Sequence, residues 1–149
     1  MSEWHLVQLN IAQLKAPIDS ELLTDFVANL DRINALAEQA PGFVWRLVDA
    51  DSGNVANYGF DSQYIVNLSI WESIELLHDY VYRSAHVSIM RRKNEWFERM
   101  PRAHMVLWWQ RSGELPTSTQ AKEKLEHLQT HGPTRHAFTF RQAFEKPDS

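Results

Sequence analysis

The fold is decided by the stretch Tyr64-Ile65-Val66-Asn67-Leu68-Ser69-Ile70-Trp71, in which the character of the side chains alternates from Val66 onward. Successive side chains of a β-strand point to opposite faces of the sheet, so alternation with a period of two predicts a strand. One face of this strand carries only branched aliphatic groups, and the other carries two polar groups and an indole. The sequence therefore predicts a sheet with two chemically different faces.

Segments on both sides of this strand supply the other elements of an α+β fold. Alternating or apolar stretches predict strands at 4–11, 43–48, 64–71 and 103–111 and a short last strand at 137–140. Helical spacing predicts helices at 21–40, 73–82 and 84–100, and a capping box of Thr117 and Gln120 begins another helix that ends at Gly132-Pro133. The order is β-α-β-β-α-β followed by a helix and a strand, which is the ferredoxin-like sandwich with a C-terminal extension.

The strands at 43–48 and 103–111 carry bulky apolar residues on both faces. In the second of them, Val106 and Trp108 alternate with Leu107 and Trp109. The ferredoxin-like pattern places its helices on one face of the sheet, so the other apolar face also needs cover. Stacking the sheet on a second copy of the chain would provide that cover, and the sequence predicts a homodimer.

Composition narrows the classes of function. The chain has 149 residues, which predicts a single domain over 1–149 with a frayed tail from about residue 145. It has no cysteine, which excludes disulfides, thiolate metal sites and cysteine nucleophiles and favours a cytoplasmic location. The net charge of −4 argues against nucleic-acid binding, and no apolar run approaches the ~18 residues of a membrane span.

Several motifs together resemble one bacterial family, domain of unknown function 3291. They extend from about Trp4 to Phe140 and are Ile33-Asn34-Ala35-Leu36-Ala37, Pro41-Gly42-Phe43-Val44-Trp45-Arg46-Leu47, Asn67-Leu68-Ser69-Ile70-Trp71-Glu72, Tyr82-Arg83-Ser84-Ala85-His86, Arg91-Arg92, Trp96-Phe97, Leu107-Trp108-Trp109, Gly132-Pro133-Thr134 and Ala137-Phe138-Thr139-Phe140. The family is similar to the dimeric α+β barrel superfamily, which includes antibiotic-biosynthesis monooxygenases and haem-degrading enzymes. The resemblance implies a ferredoxin-like protomer that pairs sheet to sheet, and it implies no reaction or catalytic residues.

The polar face of the sheet is the first candidate site. The fold makes the first and third strands neighbours, which brings their polar and indole side chains together. These predicted pocket residues are Gln8, Asn10, Asn67, Ser69 and Trp71. An indole with a few fixed polar groups is typical of a small-molecule site, here for an aromatic or apolar ligand, and a hydrated dimer interface is the alternative.

His86 and Arg83 form the second candidate. A neutral imidazole at the start of a helix that faces a pocket is a plausible axial ligand of haem, and Arg83 could hold an anionic group. The alternative is that His86 packs beneath the sheet edge and binds a backbone carbonyl. The two readings leave haem as a possible cofactor without establishing one.

His127, His131 and His136 have the spacing of metal ligands, but the stronger interpretation is that histidines complement the dipole at a helix C-terminus. We therefore predict no metal site.

Two functions remain: an oxygenase-like protein that binds an aromatic or apolar molecule, and a dimer that performs no chemistry. The sequence leaves open whether the protein is an enzyme.

Overall fold

A four-stranded antiparallel sheet forms the centre of the protein in the computed structural model, which describes residues 3–17, 19–47, 64–83, 91–100 and 102–147. The strands are β1 (Trp4–Gln13), β2 (Phe43–Arg46), β3 (Tyr64–Trp71) and β4 (Met105–Arg111). Their order across the sheet is β2-β3-β1-β4, and all three pairings are antiparallel. This arrangement confirms the predicted ferredoxin-like α+β fold.

Four α-helices accompany the sheet in the described part of the chain. They are α1 (Thr24–Gln39), which follows a 3₁₀ turn at Glu21–Leu23, α2 (Ile74–Arg83), the short α3 (Lys93–Trp96) and α4 (Ser118–His131). The predicted cap of α4 is present, because the Thr117 hydroxyl accepts a hydrogen bond from the Gln120 amide at 3.1 Å. Across the same residues, no helix is long and apolar enough to cross a membrane.

The strand register brings the predicted polar residues together on one face. In the β1–β3 pairing, Gln8 lies opposite Ser69 and Asn10 lies opposite Asn67, while Trp71 lies opposite Leu6. Directly opposed residues of an antiparallel pair share a face of the sheet. We call this face, which α1 and α2 cover, the polar face.

The second face of the sheet is covered by α4, which corrects the prediction that all helices lie on one face. Leu9, Val106 and Trp108 are at most 1% exposed within a single chain, and they share a hydrophobic cluster with Leu125 and Leu128 of α4. Of the apolar residues that suggested a stacked dimer, Val106 and Trp108 of β4 are thus already buried by the C-terminal extension, whereas Val44 of β2 is 40% exposed. Homodimerisation remains a prediction.

The end of the predicted helix at 84–100 is also wrong. Residues 84–90 lie outside the described residues, and α3 ends at Trp96, after which Phe97 is extended and forms a β-bridge with Leu14. Adjacent residues of a helix point about 100° apart. Because the chain leaves the helix here, both Trp96 and Phe97 reach Phe26, with ring centroids 5.4 and 5.0 Å away.

The predicted last strand at 137–140 is reduced to one bridge between Phe138 and Leu107, with two backbone hydrogen bonds of 2.8 and 2.9 Å. A tight turn, closed by backbone hydrogen bonds between Thr134 and Ala137, directs only Phe138 onto the edge of β4. The prediction of a strand is therefore wrong, although Phe138 is fully buried against the sheet. The predicted loop at 49–63 lies outside the described residues.

Candidate functional site

A cleft of about 420 Å³ lies between the polar face of the sheet and helices α1 and α2. All five predicted pocket residues line it: Gln8, Asn10, Asn67, Ser69 and Trp71. The helices contribute mainly apolar wall, including Ile33 and Ala37 from α1 and Leu77 from α2. Such a cavity, mostly apolar with a few oriented polar groups, has the form of a small-molecule site.

Three of these side chains form a hydrogen-bonded relay. The Trp71 indole N–H donates to the Ser69 hydroxyl at 2.9 Å, and that hydroxyl donates to the Gln8 Oε1 at 2.9 Å. All three residues are at least 93% buried. An indole nitrogen only donates, so the relay runs from Trp71 through Ser69, and the Gln8 oxygen is its final acceptor. Among the described residues, no hydrogen-bond partner is found for the Gln8 Nε2 group, which leaves this donor for a ligand.

The wall beside the relay is aromatic. The Trp71 ring stacks on Tyr80 at a centroid distance of 5.2 Å, and Phe43 meets Trp71 edge-on at 5.5 Å. The Tyr80 hydroxyl donates to the Ile33 carbonyl at 3.1 Å, and burial raises the pKa of Tyr80 to about 12. Tyr80 therefore stays protonated at neutral pH and serves as a wall rather than as a base.

Asn10 carries an unsatisfied polar atom. Its Oδ1 is buried without a hydrogen-bond partner, while Asn67 on the neighbouring strand is exposed to the cleft. An orphaned buried acceptor is unusual in a folded protein, and such groups often occur at functional sites. Its position next to Gln8 on β1 adds a second polar group to the same wall.

Positively charged side chains line the cleft. They are Arg46, Arg91 and Lys93, and of these Arg46 is held by an ion pair with Glu38 at 2.9 Å. Arg83 does not line the cleft: its side chain is 78% exposed and faces Asp79 of the same helix at 3.7 Å. The cationic group that sequence analysis sought in Arg83 is thus supplied by other residues.

The haem ligand predicted from the sequence cannot be placed among the described lining residues. His86, the predicted axial ligand, lies outside them, and the imidazole that does line the cleft, His104, is exposed. The role of His86 as a haem ligand therefore stays a prediction.

The three histidines of the C-terminal segment form a separate cluster. The ring of His127 lies 4.7 Å from that of His131 and 5.6 Å from that of His136, and its Nε2 is 2.9 Å from the Thr134 hydroxyl. Burial, followed by the neighbouring imidazoles and Lys124, lowers the pKa of His127. Within the described ranges, no group of three His, Cys, Asp or Glu residues is arranged to hold a metal ion.

Most of the other lining residues were not predicted from the sequence, and three of them differ in how much the sequence indicated. Tyr80 lies three positions after the buried Leu77, and this spacing places both residues on one face of α2. The helical spacing could therefore have predicted that Tyr80 lines the cleft. Asn34 follows Ile33 of the apolar stripe of α1 and offered a weaker signal. Lys93 belongs to the basic run Arg91-Arg92-Lys93, and nothing in its sequence context distinguishes it from Arg92.

Comparisons with known proteins agree with this fold. The chain resembles a conserved protein from Methanosarcina mazei Go1 (14% identity, 73% of this chain and 93% of that chain, TM-score 0.50) and a protein of unknown function from Nitrosomonas europaea (12%, 77% and 97%, TM-score 0.50). A weaker likeness, with a TM-score of 0.44, is to SnoaB, a cofactor-independent oxygenase from Streptomyces nogalater (14%, 74% and 95%). These likenesses concern the fold, and no curated protein matches significantly.

The sequence profile of one family matches residues 5–149, which is nearly the whole chain. It is the family that the motifs of the sequence indicated. The chain therefore belongs to the family described as domain of unknown function DUF3291.

Proposed function

We propose that this protein binds a planar aromatic small molecule in the cleft, through a carbonyl or enolate oxygen that accepts a hydrogen bond from Gln8. The relay from Trp71 through Ser69 to Gln8 carries this proposal. It fixes the Gln8 oxygen away from the ligand and leaves the Nε2 donor as the group that a ligand would meet. The stacked rings of Trp71 and Tyr80 supply a flat wall beside that donor.

The same geometry supports oxygenase-like chemistry. A fixed N–H donor in a cleft of low polarity stabilises an oxyanion more strongly than water does, because the donor needs no reorganisation. An aromatic ketone with an acidic methylene group would lose a proton to water and bind as its enolate. The carbanion would then add molecular oxygen and a proton to form a hydroperoxide, which would lose water and leave a new carbonyl. This sequence requires no protein base, which agrees with a Tyr80 that stays protonated.

Binding of dithranol under nitrogen tests the proposal, because dithranol is a planar anthrone with an acidic methylene group. We expect Gln8→Leu to weaken binding about five- to ten-fold, which is the effect of losing one hydrogen bond worth about 1–1.4 kcal/mol. Gln110→Leu is the matched control: Gln110 is equally buried, accepts from the Trp108 indole at 3.0 Å, and lies on the other face of the sheet. Equal affinities of the two variants would refute the proposal.

Oxygen consumption separates an enzyme from a binding protein. If the chain is an oxygenase, admission of air to the dithranol complex should consume one molecule of oxygen for each new carbonyl, and Gln8→Leu should slow this reaction. Binding without accelerated oxygen uptake would favour the alternative, a ligand-binding protein that performs no chemistry.

Three expectations from the sequence accompany this proposal. Homodimerisation is tested by light scattering, in which a monomer gives 17.4 kDa and a dimer twice that mass. Haem binding is tested by a hemin titration of the wild type and of His86→Ala. If His86 is the axial ligand, the wild type gives a sharp Soret band and the variant does not. A cytoplasmic location is tested by cell fractionation.

A further inference from the structure

The cleft continues into a second cavity of about 530 Å³ along α1. We call the cavity beside the relay the first lobe and its continuation the second lobe. Six residues line both and form the waist between them: Asn10, Ile33, Asn34, Asn67, Lys93 and His104. Since the lobes share this boundary, a ligand longer than one ring system can extend from the first into the second.

Part of the second lobe's wall is apolar. Phe26 of α1 and Phe97 meet edge-to-face at 5.0 Å, and Ile65 and Met100 line the same cavity. Ala12 contributes only a methyl group to its floor. Each lobe can therefore bury an apolar part of a ligand, whereas the waist between them is polar.

The waist carries a positive charge. Lys93 is exposed, and within the described part of the chain it makes no ion pair. Its neighbour Arg92, in contrast, is bound to Asp25 and Glu95 at 2.9 Å each.

Arg91 in the first lobe and Arg99 in the second add further positive charge, against the single carboxylate of Glu98 among the described lining residues. The protein as a whole has a net charge of −4, so this excess of cations is local to the cleft. A local cationic excess in an acidic protein favours an anionic ligand.

We propose that the site takes an anionic amphiphile with two apolar parts, whose acidic group lies between them at the waist beside Lys93. This inference rests on the proposed function, because one of the two parts occupies the first lobe. A carboxylate or sulfonate would satisfy the charge, and apolar surface in both lobes would contribute most of the affinity.

A pair of fluorescent probes tests the requirement for charge. Anilinonaphthalene sulfonate and phenylnaphthylamine have the same rings, but only the first carries an anionic group. We expect Lys93→Gln to weaken sulfonate binding about three- to five-fold, as for an exposed ion pair, and to leave the affinity of the neutral probe unchanged. Lys146→Gln removes the same charge at an exposed position away from the cleft and should change neither affinity.

A longer probe tests whether the lobes act as one site. Bis-anilinonaphthalene sulfonate, which joins two such units, should bind more tightly than the single unit. Ala12→Phe fills the second lobe and should abolish this advantage while the single unit still binds the first lobe. Ala12→Leu fills less of the lobe and should give an intermediate advantage, which keeps the test usable if the larger variant does not fold.

The outcomes separate this inference from the proposed function. Two results would overturn the amphiphile inference: Lys93→Gln changes the affinity of neither probe, or Ala12→Phe leaves the tighter binding of the double probe intact. If dithranol binding still depends on Gln8 in that case, the proposed function stands. If sulfonate binding depends on Lys93 but dithranol binding does not depend on Gln8, the proposed function is overturned, and so is the part of the inference that places a ligand in the first lobe.

Discussion

Replacing Ser69 by alanine removes the central member of the relay and should destabilise the protein by about 2–4 kcal/mol. The Ser69 hydroxyl makes two hydrogen bonds of 2.9 Å, so its loss leaves the Trp71 indole N–H and the Gln8 Oε1 without partners. An unsatisfied buried polar group costs about 1–3 kcal/mol. The value for Gln8 lies near the lower limit because water in the cleft can replace the hydroxyl, whereas Trp71 is 1% exposed and has no such relief.

The assay is urea unfolding followed by tryptophan fluorescence. With a denaturant slope of about 2 kcal/mol per molar urea, the midpoint should fall by about 1–2 M. Trp71→Phe combined with Ser69→Ala completes a double-mutant cycle. Because the combined variant has no orphaned indole N–H, its destabilisation should be about 1 kcal/mol smaller than the sum of the single effects.

Two results would refute this reasoning. A destabilisation by Ser69→Ala below about 0.5 kcal/mol would mean that the hydroxyl is not the link between two buried groups. Strict additivity in the cycle would mean that Trp71 and Ser69 do not interact. Either result would also remove the argument that the relay orients Gln8 toward a ligand.

Three further predictions concern the fold and its pH dependence. Gly42→Ala should destabilise the protein by more than about 2 kcal/mol in urea unfolding, because Gly42 has φ +86° and an added Cβ would lie 2.5 Å from Leu76 Cδ1. Gly113→Ala is the control: Gly113 has φ +92° but open space around it, so the substitution should cost about 1 kcal/mol. Equal effects of the two substitutions would contradict the steric argument. Leu125→Ala should cost about 2–5 kcal/mol because α4 covers the second face, and an effect near zero would show that α4 does not cover it. The pKa of His127 is lower in the folded protein than in the unfolded chain, so the unfolded chain binds the proton more readily. The contribution of His127 to the free energy of unfolding is therefore constant above about pH 6.5 and declines as the pH falls below that value. Thermal unfolding of His127→Gln should show a smaller decline between pH 7 and pH 5, and an unchanged decline would exclude His127 as its source.

Local patterns were sufficient to predict the elements whose form depends on neighbours in the chain. The alternation at 64–71 gave β3 with the bounds that the structure has, and the Thr117 cap fixed the start of α4. The grouping of Gln8 with Ser69 followed from the β-α-β-β-α-β order, because that order makes the first and third strands neighbours. The floor of the candidate site was therefore predictable from the sequence.

The sequence by itself determined the α+β fold, the family and the two-faced sheet, because these depend on the periodicity and order of segments. Only the tertiary structure decided what covers each face and which charges surround the cleft. An apolar face requires cover, but its pattern is the same whether a second chain or α4 provides it. Likewise, Lys93 reaches the waist while Arg83 points into solvent because of how their helices pack against the sheet, and packing depends on contacts between residues far apart in the chain.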